Sequence, residues 1–174
     1  MMPINKKTVR EYASRYSYSA RFRGNNDESV ENEIAKRFKR HRYLDKASFL
    51  KIALWKSKRP KQHYESNDDA TIREITEFSL RTKSEAARIK VLLALNGVSY
   101  PLASVILHFA FPNKYPILDF RALWSLGWKQ PKSYNFAFWQ RYCRKIRAIS
   151  KLTGESMRTV DKALWQYSKE HQKK

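Results

Sequence analysis

The sequence predicts an all-α protein, and three observations carry that expectation. Apolar residues recur at spacings of three and four through most of the chain. Only four glycines and six prolines are present in 174 residues, little turn material for many strands. With 42% hydrophobic and 14% aromatic residues the chain can build a real core, and its length suits a single domain of one or two lobes.

The elements follow in order. Glu11 to Arg23 is tyrosine-rich and basic and ends at Gly24-Asn25-Asn26; a helix and an N-terminal arm over residues 1–24 both fit it. Asp27 can cap a helix carrying Val30, Ile34 and Phe38, and Asp45 one carrying Phe49, Leu50, Ala53 and Leu54, which Arg59-Pro60 ends. Asn67-Asp68-Asp69 opens a helix with Ile72, Ile75 and Phe78 facing inward, and Ser84 opens the next. From Ile89 to Leu95 the chain is apolar at helical spacing and stops at Asn96-Gly97, where glycine adopts the left-handed conformation cheaply. A second apolar helix with Leu102, Ala103, Val105, Ile106 and Phe109 runs to Phe111-Pro112, because the residue before a proline is pushed out of the helical region.

A short helix after Asp119 bears Leu123 and Leu126 and stops at Gly127. Asn135 to Lys151 sets Phe138, Tyr142, Ile146 and Ile149 on one side, and Arg141, Arg144, Lys145, Arg147 and Lys151 largely on the others. The last helix runs from about Ser156 to Ser168 with Val160, Leu164 and Tyr167 packing, and Glu170 to Lys174 is expected to be a disordered tail. The total is seven or eight helices, with no internal repeat.

Lys plus Arg number 36 against 16 Asp plus Glu, a formal charge of +20. A field of that strength attracts polyanions and makes their binding steeply salt-dependent, so nucleic acid stands first among partners, ahead of a charge that merely keeps the protein in solution and of a ribosomal or membrane surface. Cys143 is the only cysteine, which excludes an intrachain disulfide and a four-cysteine iron–sulfur cluster, and its spacing makes it a core thiol. No stretch is long and apolar enough to span a membrane, and Met1 to Lys7 lacks the apolar segment of a secretion signal, so a cytoplasmic location is expected. His41, His63, His108 and His171 are scattered without a paired-ligand spacing, and no metal or cofactor is expected; His108, among apolar neighbours, reads as a core histidine before an acid or base. Phosphate-binding glycine loops, nucleophile elbows and kinase motifs are missing, which ranks nucleotide hydrolysis and acyl transfer low.

The helix, tight turn and helix around Gly97 form a unit that can hold phosphate. At the start of the second helix, unpaired amides and the positive end of the macrodipole face outward, and they grip a backbone without reading a base. Asn96, Gly97, Val98, Ser99 and Tyr100 are the hairpin residues placed for that contact.

The run Leu95-Asn96-Gly97-Val98-Ser99-Tyr100-Pro101-Leu102-Ala103-Ser104, followed by Tyr115-Pro116-Ile117-Leu118-Asp119-Phe120-Arg121, resembles the helix-hairpin-helix DNA glycosylase superfamily. Its hairpin reads Leu-x-Gly-Val-Gly-x-x-x-Ala and leads to a conserved aspartate; Leu95, Gly97, Val98 and Ala103 match it. The resemblance covers about residues 85 to 127, and Ser99 departs from it by replacing the second glycine. It sets Pro101 at the position where bifunctional members carry a Schiff-base lysine and Asp119 at the aspartate, an interval of 119 − 101 = 18 residues. What it implies is a glycosylase-like helical bundle, a monofunctional enzyme that uses water because Pro101 has no amine, double-stranded DNA as partner of a monomer, and room for a structural monovalent ion on hairpin carbonyls.

Base excision breaks a C1′–N bond through a sugar cation, so it needs a fixed negative charge beside C1′ and a group that positions water. Asp119, flanked by Ile117, Leu118 and Phe120, suits both tasks; it equally suits capping a helix at Phe120, and the two roles are compatible. The target base must be flipped into an aromatic pocket, for which Phe111, Tyr115 and Trp124 are the candidates, most nearby aromatics being core. Lys56, Lys58, Arg59, Arg121 and the stripe Arg144, Arg147, Lys151 are candidate phosphate contacts, with a solvated charged face as the alternative. Two further readings stand beside the enzyme: a non-catalytic DNA-binding module and an RNA-binding protein.

Overall fold

The computed structural model describes residues 1–16 and 27–173, so the later part of the tyrosine-rich segment and Lys174 lie outside the described residues. Among the described residues every regular element is a helix, as the periodicity predicts: α1 (Lys6–Ser14), α2 (Asp27–Arg40), α3 (Lys46–Lys56), α4 (Lys61–Glu65), α5 (Asp69–Arg81), α6 (Glu85–Leu92), α7 (Tyr100–Ala110), α8 (Phe120–Ser125), α9 (Phe136–Thr153) and α10 (Met157–His171). No helix among them is long and apolar enough to cross a membrane. The chain divides into two compact units, Met1–Ser17 with Pro112–Lys174, and Tyr18–Phe111.

In the unit Tyr18–Phe111, α7 is the core helix. It is apolar on nearly every side, and Tyr100 and Leu102 through Phe109 are all buried, because α2, α3 and α6 pack around it. Val30, Ile34 and Phe38 of α2, Phe49, Ile52 and Ala53 of α3, and Ile89 and Leu92 of α6 supply the facing surface. The expected caps at Asp45, Asp68 and Ser84 form, each side chain accepting from the backbone N–H three residues on. The side chain of Asp27 lies outside the described residues.

Three details differ from expectation. Phe78 is 52% exposed, because the buried stripe of α5 is Ile72, Thr76 and Ser79, and Phe78 sits about 120° around the helix from Ile72. Helix α3 ends at Lys56, where Ser57 turns extended, before Arg59-Pro60. Pro60 instead precedes the short helix α4, whose five residues are too few to show a period. The buried Arg88 of α6 closes the end of α5 by donating to the carbonyls of Ser79 (2.7 Å), Leu80 (3.1 Å) and Thr82, satisfying acceptors that a helix end leaves open.

The unit Met1–Ser17 with Pro112–Lys174 is built on α10, which packs against α1, α8 and α9. Val9, Leu123, Tyr142, Ile146, Val160 and Leu164 are buried in it. Asn135 and Ser156 cap α9 and α10, and Gly154 ends α9 in the left-handed region (φ 69°). Residues 6–14 are helical, starting upstream of the tyrosine-rich segment. Of the expected tail, Glu170 and His171 are instead helical: α10 continues to His171, Glu170 accepts from Arg15 and Gln166, and His171 shares a 2.8 Å hydrogen bond with the Tyr12 hydroxyl.

Candidate nucleic-acid interface

The turn between α6 and α7 is built as a buried pair carrying an exposed tip. Leu95 and Val98 are buried, whereas Asn96, Gly97 and Ser99 are exposed, and the Val98 N–H donates to the Leu95 carbonyl at 3.0 Å. Gly97 has φ +80°, and a Cβ there would meet the Tyr64 ring of α4 at 2.7 Å, so glycine is required twice over: by backbone conformation and by close approach. The tip is held by Asn67. Its Oδ1 accepts from the Asn96 N–H at 2.8 Å, and its Nδ2 donates to the carbonyls of Asn96 (3.1 Å), Tyr64 (3.0 Å) and His63 (3.1 Å). The Asn96 side chain in turn donates to Ser66 Oγ.

This arrangement assigns the hairpin groups. The Asn96 amide is committed to the Asn67 clamp, while among the described residues the Gly97 and Ser99 amides donate to no protein group. The Ser99 side chain makes no capping bond at the start of α7, and Pro101 in the first turn has no N–H to satisfy. Tyr100, a candidate contact, is buried under the turn. Lys58 and Arg59 are exposed in the link leading to α4, with Lys56 half-buried at the end of α3.

In the other unit, Asp119 is half-buried and extended (φ −140°), and it caps α8: its Oδ1 accepts from the Arg121 N–H at 2.9 Å. The expected capping role is therefore occupied. Ile117 and Leu118 beside it are buried, and the Ile117 carbonyl accepts from the Tyr142 hydroxyl at 2.8 Å. Burial pushes the Tyr134 and Tyr142 hydroxyls above the ordinary tyrosine range, and the negative charge of Asp119 adds to both shifts, which places the carboxylate's field on these phenols.

The aromatic candidates separate. Tyr115 is 0% exposed and stacks on Trp139 with ring centroids 5.6 Å apart, so it is a core residue and offers no face to a base. Its closeness in sequence to Asp119 made it a candidate; the stacking partner lies far along the chain. Phe111 is half-buried at the end of α7, with the Arg88 guanidinium 5.3 Å from its ring, and belongs to the unit Tyr18–Phe111. Trp124 is half-buried against Tyr167 in the unit of Asp119. His108 is buried edge-on to Phe109, and Cys143 is a buried thiol. Among the described residues no group of three or more His, Cys, Asp or Glu could hold a metal ion.

Arg144, Arg147 and Lys151 are exposed along α9, as their spacing predicts. Arg147 is the least free of them, since its guanidinium donates twice to the Lys114 carbonyl, at 3.0 and 2.5 Å. Arg147 and Lys151 also line a cavity of about 290 Å³ with Asn113, Ser150, Ser156 and Met157. Replacing Arg144 and Lys151 together with glutamine is expected to weaken binding to all DNA sequences alike and to lower the slope of log affinity against log salt by about two, measured by titration at several salt concentrations. A sequence-selective effect would contradict phosphate contact.

Asn67 and Tyr64 escaped the sequence reading, although Asn67 stands at the head of a recognisable cap, Asn67-Asp68-Asp69. No signal within the local sequence ties it to Asn96. Arg121, expected at a phosphate, lies over two rings, 5.3 Å from that of Phe120 and 5.2 Å from that of Trp165. No protein-family model, curated protein or solved structure matches this chain.

Proposed function

We propose that the protein grips double-stranded DNA through the hairpin and its basic faces and acts as a monofunctional DNA N-glycosylase, with the helix-hairpin-helix glycosylase fold that the resemblance implies. The observation that carries this reading is the exposed, clamped Gly97 turn, with open amides at Gly97 and Ser99, in a chain of charge +20. In the reaction the C1′–N bond breaks and its electron pair leaves with the flipped base. Water adds to C1′ and gives up a proton, leaving an abasic sugar. Asp119 supplies the negative charge that stabilises the cationic sugar and accepts that proton. Pro101 cannot form an imine, so no strand cleavage accompanies base loss.

Asp119→Asn tests this cleanly, because asparagine caps helices about as well as aspartate and keeps α8 in place. On a panel of duplexes carrying damaged or modified bases, the wild-type protein is expected to leave alkali-labile abasic sites in at least one. D119N should lose about a hundredfold or more of that rate while duplex affinity is retained. The capping bond to Arg121 also gives Asp119 a sufficient structural role, and this favours the second reading, a non-catalytic DNA-binding module. Tight duplex binding without base release across the panel would establish that reading instead, and preference for single-stranded RNA over duplex DNA would overturn both.

A further inference from the structure

Beside Asp119 lies a group of rings and cations that base excision as described does not use. Phe120 is 47% exposed, one of few large apolar side chains so placed among the described residues. The Arg121 guanidinium bridges it to Trp165, at 5.3 and 5.2 Å from the two ring centres, and Lys169 Nζ lies 5.5 Å from the Trp165 ring. Tyr16 meets Trp165 edge-on at 5.3 Å, and Arg158 and Lys162 lie 5.4 and 5.6 Å from the Tyr16 ring. Arg158 is paired with Asp161, whereas among the described residues Arg121 and Lys162 have no carboxylate partner. All of these residues belong to the unit Met1–Ser17 with Pro112–Lys174.

Trp165 and Tyr16 are half-buried and Phe120 is exposed; a purely solvated face has no need of three rings, and a core would bury Phe120 as well. Flat apolar faces interleaved with cations, of which Arg121 and Lys162 have no carboxylate partner among the described residues, match a ligand that is flat, apolar and anionic at once. Unpaired nucleotides have that chemistry, whereas a duplex hides its base faces in its own stack and an acidic peptide offers charge without repeated planes.

We propose that Phe120, Arg121, Trp165 and Tyr16 form a stacking platform for unpaired bases of single-stranded DNA, with Lys162 meeting the adjoining phosphate. The inference rests on the nucleic-acid-binding part of the proposed function and is independent of catalysis by Asp119.

The test compares the full chain and its Phe120→Ala and Phe120→Trp variants by fluorescence anisotropy at one salt concentration. The probes are a labelled thymidine homopolymer about a dozen nucleotides long, the same length of abasic homopolymer, and a fully paired duplex. F120A is expected to weaken homopolymer binding about tenfold, with duplex affinity held within about twofold, and F120W to restore it. The wild-type protein should bind the abasic polymer about as weakly as F120A binds the homopolymer. Phe120 is exposed, so F120A should fold, and its melting curve verifies this. Equal binding of the homopolymer by F120A and wild type, equal binding of the abasic polymer and the homopolymer, or displacement by polyglutamate at matched charge would each overturn the platform. If duplex binding persists through such a result, the platform alone fails; if the wild type binds neither strand form, the nucleic-acid reading fails with it.

Discussion

Gly97→Ala should lower the stability of the folded protein by about 3 kcal/mol, the sum of a left-handed backbone penalty of roughly 1 kcal/mol and a steric cost of about 1–3 kcal/mol. The added methyl would sit 2.7 and 2.8 Å from two Tyr64 ring carbons and 3.0 Å from His63 Cβ. Tyr64 cannot swing away, since it is buried and packs edge-on against the buried Phe49 with centroids 6.2 Å apart. Gly154→Ala supplies the internal control: its φ is +69° but nothing lies within 4 Å of the new Cβ, so only the backbone penalty of about 1 kcal/mol applies. Denaturant midpoints of the two variants, read with equal slopes, isolate the contact between turn and α4. Equal losses would mean that the turn does not rest on Tyr64. DNA affinity, measured where both variants remain folded, should fall for G97A and stay level for G154A, because only the former displaces the open amides at the hairpin tip.

What the sequence disclosed was local. A cap and the stripe behind it lie within four or five residues, so the starts of α3, α5, α6, α9 and α10 could be read from Asp45, Asp68, Ser84, Asn135 and Ser156. The turn at Gly97 was legible for the same reason, and so was the dual eligibility of Asp119 as cap and carboxylate. The misses concern separations that periodicity does not encode. Asn67 reaches Asn96 across 29 residues, Arg147 binds the Lys114 carbonyl across 33, and Trp139 of α9 covers Tyr115 in the link before α8. Phe78 shows a subtler limit: counting apolar residues predicted it inward, but the buried positions of α5 are filled by Thr76 and Ser79, whose hydroxyls find acceptors at the Ile72 and Arg88 carbonyls. The platform residues were visible individually, yet nothing in the spacing of Phe120, Trp165 and Tyr16 brings their rings together.

Asn67→Ala is expected to cost about 2–3 kcal/mol, well above the half kcal/mol or less typical of a surface asparagine. Asn67 is 5% exposed, and its truncation strips the Asn96 N–H and carbonyl of this partner and takes one of the donors from the carbonyls of Tyr64 and His63, which keep the Asn67 N–H (3.4 Å) and the Ser66 hydroxyl (2.8 Å). Water can reach part of the exposed tip, which keeps the loss below the sum of four separate bonds. Asn67→Asp sharpens the argument through its pH dependence. The new carboxylate still accepts from Asn96 N–H, but its second oxygen faces three carbonyls, which disfavours ionisation in the folded state and raises the folded pKa above the unfolded value. A raised pKa contributes stability below the unfolded pKa and loses it as pH rises through the folded one, so the deficit of N67D against wild type should shrink on acidification. A pH-independent deficit would show that the amide's donors are not what holds the turn. If instead Asn67→Ala leaves stability unchanged but abolishes DNA binding, the clamp orders only the hairpin tip, and its role is to hold the Gly97 and Ser99 amides in register for phosphate.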